Sequence, residues 1–292
     1  MNEADFKELK KGGMMRQVEA GRFSVRLHVV GGELSAGQLA AVVTAAERFG
    51  RGRVHLTARQ GIEIPHVAAE SLAEIKELLS AAGVGIGVCG PTVRTVTACQ
   101  GCTLCPSGVI DAPAYAQAVD QAFYGASAPH KFKVGITGCI NNCLKAEEND
   151  VGLKGWIEPA TAADAACTAC GVCEAVCPSR AIRVPDAETG AVIDASACIG
   201  CGDCIVSCPT SHIVANARGF RVYVGGKFGR SPSLAEPVLG VQRSIDDAVR
   251  VVAAVLDFFR AHGKARERFA DTLKRTGLTA LETHLATAGG LS

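Results

Sequence analysis

The chain carries fourteen cysteines in 292 residues, and eight of them form two runs of one spacing. Cys167, Cys170, Cys173 and Cys177 are set C-x2-C-x2-C-x3-C and followed by Pro178. Cys198, Cys201, Cys204 and Cys208 repeat that spacing ahead of Pro209. An iron–sulfur cubane needs four thiolates converging from short loops, and this spacing delivers them. Gly171, Gly200 and Gly202 supply the tight backbone such loops require. In paired runs the fourth cysteine serves the other cluster. One [4Fe–4S] set is therefore Cys167, Cys170, Cys173 and Cys208; the other is Cys177, Cys198, Cys201 and Cys204. Zinc and disulfides are the competing uses of cysteine, and two complete runs argue against both. Such clusters move electrons and transform no substrate by themselves, so a further redox centre is expected elsewhere in the chain.

Six cysteines remain: Cys89, Cys99, Cys102, Cys105, Cys139 and Cys143. The stretch TACQGCTLCPSG (97–108) starts a similar rhythm and breaks off at Pro106. Cys99 and Cys105 form a C-x5-C, and Cys139 and Cys143 a C-x3-C within TGCINNC. Together they offer four thiolates from two loops, enough for a third cubane. Cys89 and Cys102 read as small buried thiols. Asn141, between two ligands, is a candidate to bond a cluster sulfur or cap the loop. His28, His55, His66 and His130 have no ligand spacing.

Cations form the other chemical signal. Lys131 and Lys133 stand two apart on a predicted strand, KFKVGIT (131–137), so both project from one face, with Phe132 and Val134 on the other. Taken alone, the pair describes a solvated edge strand, and Arg59 and Arg94 describe surface arginines. Beside four thiols offered by two loops, the lysine pair instead describes one wall of an anion cavity. Arg presents a planar, permanently charged fork; Lys is a point charge that can give up a proton. At an effective dielectric of about 20, each cation ~4 Å from an anionic charge contributes ~4 kcal/mol before desolvation. The whole chain carries 30 basic and 29 acidic residues, so nothing in its balance points to nucleic acid or an anionic membrane. The charged N-terminus lacks the apolar core of a secretory signal, and no apolar run is long enough to span a bilayer; the expected location is the cytoplasm.

These side chains need a scaffold. Residues 22–30 alternate as a strand, and Ser35 caps a helical pattern. Short strands are expected at 53–58 and 61–65, around Gln60-Gly61, then a helix over 70–82. This βαββα order predicts helices packed on an antiparallel sheet over residues 15–85. Residues 86–112 read as loops, 113–124 as a helix, and 131–137 and 152–158 as strands, with Trp156 in the core. Residues 160–215, dense in Cys, Gly and Pro, read as an insertion. RVYVGGKFG (221–229) returns to a strand and a Gly loop, Ser244 caps a long helix, and two shorter helices follow. The host unit is thus expected to span 86–159 and 216–292 around the inserted 160–215.

Five motifs in this order resemble the siroheme- and [4Fe–4S]-containing sulfite and nitrite reductases, over roughly residues 20–240. LTARQGIEI (56–64) resembles their Thr-x-Arg-Gln strand, VRTVTAC (93–99) the Arg segment before the first ligand, and KFKVGITGC (131–139) the paired-lysine strand. GCINNC (138–143) resembles their second ligand pair, and VGGKFGRSP (224–232) a loop near siroheme. The inserted runs resemble the ferredoxin insertion of the dissimilatory type and of the small anaerobic sulfite reductase subunits, and the chain is read as the small, ferredoxin-bearing type. The resemblance implies an α+β fold with a ferredoxin-like half-domain, a siroheme/[4Fe–4S] domain and an inserted two-cluster ferredoxin. It implies that Cys99, Cys105, Cys139 and Cys143 hold a cubane and that Cys143 is also the axial thiolate of siroheme. Arg59, Arg94, Lys131 and Lys133 would grip the substrate, and Arg230 would meet siroheme carboxylates.

The implied cofactors are siroheme and three [4Fe–4S] clusters. The implied activity is the six-electron reduction of sulfite to sulfide. Siroheme-dependent reduction of nitrite to ammonium and a non-catalytic electron-transfer or siroheme-handling subunit are the alternatives. Larger relatives carry both half-domains twice, so a homo-oligomer or related partner subunit is expected here. The chain shows no strand–GxGxxG–helix unit, so electrons are expected from an external ferredoxin or reductase subunits.

Overall fold

The computed structural model describes residues 3–287. Residues 288–292, placed in the host unit from sequence, lie outside the described residues.

The first layer is an antiparallel sheet of β1 (Met14–Arg16), β2 (Arg22–His28), β3 (His55–Leu56), β4 (Ile62–Ala68) and β5 (Gly85–Ile86), ordered β1-β2-β4-β3 with β5 on β2. Phe23, Val25 and Leu27 of β2 and Ile64 of β4 are buried against α2 (Ala36–Phe49) and α3 (Leu72–Ala81). Ser35 starts α2 as expected: its Oγ accepts from the Gln38 N–H and its own N–H donates to Gln38 Oε1. The charged N-terminal stretch forms α1 (Glu3–Lys11), which the sequence reading did not anticipate; Phe6 and Leu9 pack it on this core.

The second layer is a mixed sheet ordered β12-β11-β8-β7-β6. It comprises β6 (Thr97–Ala98), β7 (Val134–Thr137), β8 (Val151–Thr161), β11 (Ile213–Val224) and β12 (Glu236–Pro237). β7 runs parallel to β6 and β8, and β11 antiparallel to β8. Helices α4 (Ala112–Phe123), α7 (Ile245–His262), α8 (Phe269–Thr276) and α9 (Leu278–Thr287) complete it around Phe132, Leu153, Phe220 and Phe259. Ser244 caps α7 through Asp247. Between β8 and β11 sits a small unit of α5 (Val172–Ala175), β9 (Ile182–Arg183), β10 (Val192–Ile193) and α6 (Asp203–Val206), with its own core of Cys173, Ile182, Ala191, Cys204 and Ile213.

Two boundaries differ from the sequence reading for hydrogen-bonding reasons. β7 begins at Val134, not at Lys131, because the Lys133 N–H donates to the Asp150 carboxylate at 2.9 Å instead of to a neighbouring strand. The alternation survives: Phe132 is fully buried between two lysines that both face a cavity. β8 and β11 run further than expected, paired from Val151↔Val224 to Thr161↔Ile213 with one register shift between Ala215 and Ala217, so they carry the inserted unit on a long ladder.

Candidate functional site

A cavity of about 370 Å³ opens between the two layers. Five cations line it and no carboxylate does: Arg26 from β2, Arg59 from the turn between β3 and β4, Arg94 from the loop before β6, and Lys131 and Lys133 from the approach to β7. All four cations expected from sequence are therefore brought together, and Arg26 joins them.

Each arginine is anchored from behind. Arg59 donates to Asn149 Oδ1 at 2.6 Å and to the Thr95 carbonyl at 3.3 Å. Arg94 donates to the carbonyls of Val88 and Gly90 at 2.6 and 2.9 Å, while its buried Nε has no partner. Arg26 donates through Nε and Nη2 to Glu63 and through Nη1 to Cys89 Sγ, at 2.8, 2.6 and 3.0 Å. Cys89 is the buried thiol the sequence suggested. Beneath them Asp150, fully buried, accepts from Arg268 Nη2 on both oxygens at 3.0 Å.

This crowding shows in the acidities. Burial, then the neighbouring Arg59 and Arg268, brings Lys133 down to about 8. Burial, then Arg268 and Arg94, lowers Lys131 as well. Burial lowers even Arg59, to about 10. Cations held together in a poorly solvated cavity repel one another, and an anion relieves that repulsion.

A second cavity, about 460 Å³, adjoins the first through the Arg59-Gln60 turn. Cys99, Cys105, Cys139 and Cys143 line it. Cys102 does not; it is exposed, which corrects the expectation of a buried thiol. The reason is local. Cys105 N–H bonds back to the Gly101 carbonyl at 2.9 Å, and the loop folds so tightly that a Cβ on Gly108 would stand 2.4 Å from Cys102 Cα. That fold turns Cys102 outward and its two neighbours inward.

The second cavity also provides donors for sulfur. The Gly138 N–H donates to Cys99 Sγ at 3.0 Å. Gln60 Nε2 donates to the Ala98 carbonyl at 2.7 Å and Gln60 Oε1 accepts the Ala98 N–H at 3.0 Å, fixing the residue before Cys99. It is Asn142 that caps the loop carrying Cys139 and Cys143: its Oδ1 accepts the Ala146 N–H at 2.8 Å and its Nδ2 donates to Glu147. Asn141 lines the cavity. Lys154 closes the arrangement with an ion pair to Glu147 at 2.6 Å. Four thiols from two loops around one hollow, with an N–H donor aimed at sulfur, fit a cubane.

In the inserted unit, Cys167, Cys170, Cys173 and Cys208 line one hollow, and Cys177, Cys198, Cys201 and Cys204 line another. The fourth cysteine of each run thus stands in the hollow of the other. Backbone N–H groups again face sulfur, from Ala169 to Cys167, Ala181 to Cys177 and Gly200 to Cys198, at 3.4, 3.2 and 3.4 Å. Among the described residues no three His, Cys, Asp or Glu close on a single-ion site. Arg230 is exposed on the loop pinned by Lys227 and Ser233, and lines neither the cationic cavity nor the four-thiol cavity. No described helix is long and apolar enough to cross a membrane.

Gln60, Arg26, Asp150 and Arg268 were missed from sequence. Gln60 stands directly beside Arg59 in LTARQGIEI and could have been taken with it. Arg26 lies on the polar side of an alternating strand, where nothing separates a cavity from solvent. Asp150 and Arg268 meet across 118 residues, which leaves no local signal.

Comparison with known proteins bears on this arrangement. The nitrite/sulfite reductase ferredoxin-like half domain matches residues 15–82, and the nitrite and sulphite reductase 4Fe-4S domain matches residues 89–287. A coenzyme F420-dependent sulfite reductase of Methanocaldococcus jannaschii is 32% identical over 269 residues, covering 91% of this chain and 42% of that protein. An anaerobic sulfite reductase polypeptide of Salmonella typhimurium is 31% identical over 176 residues, covering 56% of this chain and 51% of that protein. The chain therefore spans about half or less of the length of these two relatives. The fold is shared with a crystal structure of dissimilatory sulfite reductase I, at TM-score 0.73 and 20% identity over 93% of this chain and 70% of that one. By the extent of these matches, the chain belongs to the nitrite and sulphite reductase family, with one ferredoxin-like half domain followed by one 4Fe-4S domain.

Proposed function

We propose that the protein is a siroheme-dependent sulfite reductase of the small, ferredoxin-bearing type, carrying out the six-electron reduction of sulfite to sulfide. The observation that carries this reading is the adjacency of a cavity lined by five cations to a hollow lined by four thiols, joined through Arg59 and Gln60. In this reading Cys99, Cys105, Cys139 and Cys143 would hold a [4Fe–4S] cluster, and Cys143 would also hold siroheme through its thiolate. The other two thiol sets hold ferredoxin clusters. When bound, siroheme and the clusters supply the electrons and the metal centre for the substrate sulfur.

The rest falls to this chain's own side chains. Arg59 and Arg94 bind the oxyanion with forks already oriented by Asn149, Thr95, Val88 and Gly90, so little entropy is lost on binding. Lys131 and Lys133 add charge from one wall. Lys133 Nζ, brought down to about 8, is poised to give a substrate oxygen one of the two protons it needs to leave as water near neutral pH. Asp150 keeps Arg268 paired and so offsets part of the repulsion within the cation cluster. Arg230 is retained as a partner for siroheme carboxylates, reached from its exposed loop. The proposal is completed by an external one-electron donor and by a second copy of the chain or a related partner protein.

The test is anaerobic purification of the full chain followed by optical spectroscopy, iron counting and steady-state kinetics. Siroheme bands, about twelve irons and a kcat/KM favouring sulfite are expected. A strong preference for nitrite would replace the substrate in this reading. Iron–sulfur bands without siroheme would make the protein a non-catalytic electron-transfer subunit.

A further inference from the structure

The two cysteine runs of the inserted unit repeat each other position by position, so their differences carry information. Ala169 and Gly171 in the first run stand where Gly200 and Gly202 stand in the second. All four have left-handed backbone, with φ of 53, 72, 70 and 81° in that order. The turn therefore demands positive φ at both places, but only the second run has glycine at both.

Trp156 of β8 explains the difference. A Cβ on Gly200 would lie 2.2 Å from the Trp156 indole, and one on Gly202 would lie 2.8 Å from Ile157 Cδ1. The Ile157 N–H also donates to the Gly200 carbonyl at 3.0 Å. The second run is thus seated directly on β8. In the first run nothing lies within 4 Å of a Cβ on Gly171, and Ala169, Cys170 and Val172 are exposed. Cys201, the counterpart of Cys170, is half-buried.

The same stretch of β8 touches the four-thiol cavity. A Cβ on Gly155 would stand 2.0 Å from the Gly138 carbonyl oxygen and 3.0 Å from the Cys139 nitrogen. Three consecutive residues, Gly155, Trp156 and Ile157, therefore contact the Cys139 loop with one residue and the Cys198–Cys204 loop with the next two. Trp156 is buried, at 5% exposure, and the Arg221 guanidinium lies over its ring at 4.0 Å. That packing leaves the indole little freedom to move.

We propose that Trp156 is a positioning residue that makes the two ferredoxin-type thiol sets unequal. It seats the set of Cys177, Cys198, Cys201 and Cys204 as the inner one, next to the catalytic half. The set of Cys167, Cys170, Cys173 and Cys208 is left as the outer one, open to a low-potential one-electron carrier. One electron enters at the outer set as the carrier is oxidised by one unit, passes to the inner set and leaves for the catalytic half; no bond or proton is exchanged. The proposal rests on the reading above that these sets hold clusters, and the iron and siroheme content of the unmutated protein tests that reading separately.

The experiment uses the full chain, purified anaerobically and mixed in stopped flow with methyl viologen radical cation. Trp156→Ala is expected to keep its iron and its rate of cluster reduction, while reduction of siroheme, followed at its visible bands, slows at least tenfold. Trp156→Phe should recover most of that rate. Gly200→Ala, which cannot avoid the indole, should slow siroheme reduction likewise, and Ala169→Gly at the equivalent outer position should change it less than twofold. Siroheme reduction within twofold of the unmutated rate in iron-replete Trp156→Ala, or equal slowing by the Gly200 and Ala169 exchanges, would overturn the proposal. Should Trp156→Ala lose iron, EPR of the reduced unmutated protein decides. The cluster signal broadened by paramagnetic siroheme must be the one altered by Cys201→Ser and untouched by Cys170→Ser; the reverse assignment overturns the proposal.

Discussion

Arg59 and Gln60 are adjacent in the chain yet serve different cavities: Arg59 lines the cationic one, and Gln60 lines the thiol cavity while pairing with both backbone groups of Ala98. Gln60 has φ 56°, a left-handed conformation that lets consecutive side chains diverge at a tight turn. Thr57 closes that turn, its Oγ1 accepting the Gly61 N–H at 3.0 Å. One turn thus sets the spacing between the cationic cavity and the four-thiol cavity.

Removing one charge from the cationic cavity should separate turnover from cofactor content. Lys131→Ala is expected to lower kcat/KM for sulfite by at least tenfold, a loss of ~1.4 kcal/mol of transition-state binding, with the siroheme spectrum intact. Loss of the siroheme bands in that variant would show that Lys131 holds the cofactor instead.

The stretch TACQGCTLCPSG makes a paired prediction. Cys102 is exposed and absent from the cavity lining, so Cys102→Ala should keep the full iron content; Cys105→Ala should lose about four irons, one cubane's worth. Cys143→Ser should leave siroheme magnetically uncoupled from any remaining cluster by EPR, and an unchanged coupled signal would remove Cys143 from the bridging position.

Lys133 gives stability a pH signature. Its value falls from 10.5 to about 8 in the folded chain. Between those values the unfolded chain holds a proton that the folded chain has released, so stability rises with pH across that window. Below about 8 both states hold the proton and the full cost of the buried charge is present. Lys133→Met should therefore be the more stable protein at about pH 7. Denaturant titrations should show its advantage shrinking as pH climbs toward about 10, by at most ~1.4 kcal/mol per pH unit. Sulfate, a redox-inert anion, should bind the unmutated cavity more weakly above about pH 8, as Lys133 loses its charge.

Asp150 is the counter-charge beneath the cations. Asp150→Asn leaves Arg268 buried without its partner, which costs ~3–5 kcal/mol for a broken buried pair. Guanidinium unfolding should show that loss, and added sulfate should restore more stability to the variant than to the unmutated chain. A loss below ~1 kcal/mol would mean that water already compensates Arg268.

Much of this protein was legible in sequence because its chemistry is local. Thiols that share one hollow here come from short loops, so C-x2-C-x2-C-x3-C-P and the paired C-x5-C and C-x3-C register along the chain itself. Helix starts at Ser35 and Ser244 were legible for the same reason, since a capping box is complete within four residues. Alternation at Lys131, Phe132 and Lys133 was legible even though the hydrogen-bonded strand starts later, because side-chain direction follows from extended backbone rather than from ladder bonds.

What only the tertiary structure decided is everything that depends on distance across the chain. Cys102 and its neighbours look alike in sequence; the close folding of Gly101 and Gly108 turned one outward. Arg26 looks like any polar strand residue until the second layer closes a cavity over it. Asp150 meets Arg268 over 118 positions, and Trp156 meets Gly200 only once β8 and β11 have carried the inserted unit back onto the sheet. Sequence alone specified the donor types and their local spacing, which bond geometry constrains. Folding specified which donors share a cavity, because burial and mutual repulsion act between residues that no short stretch contains.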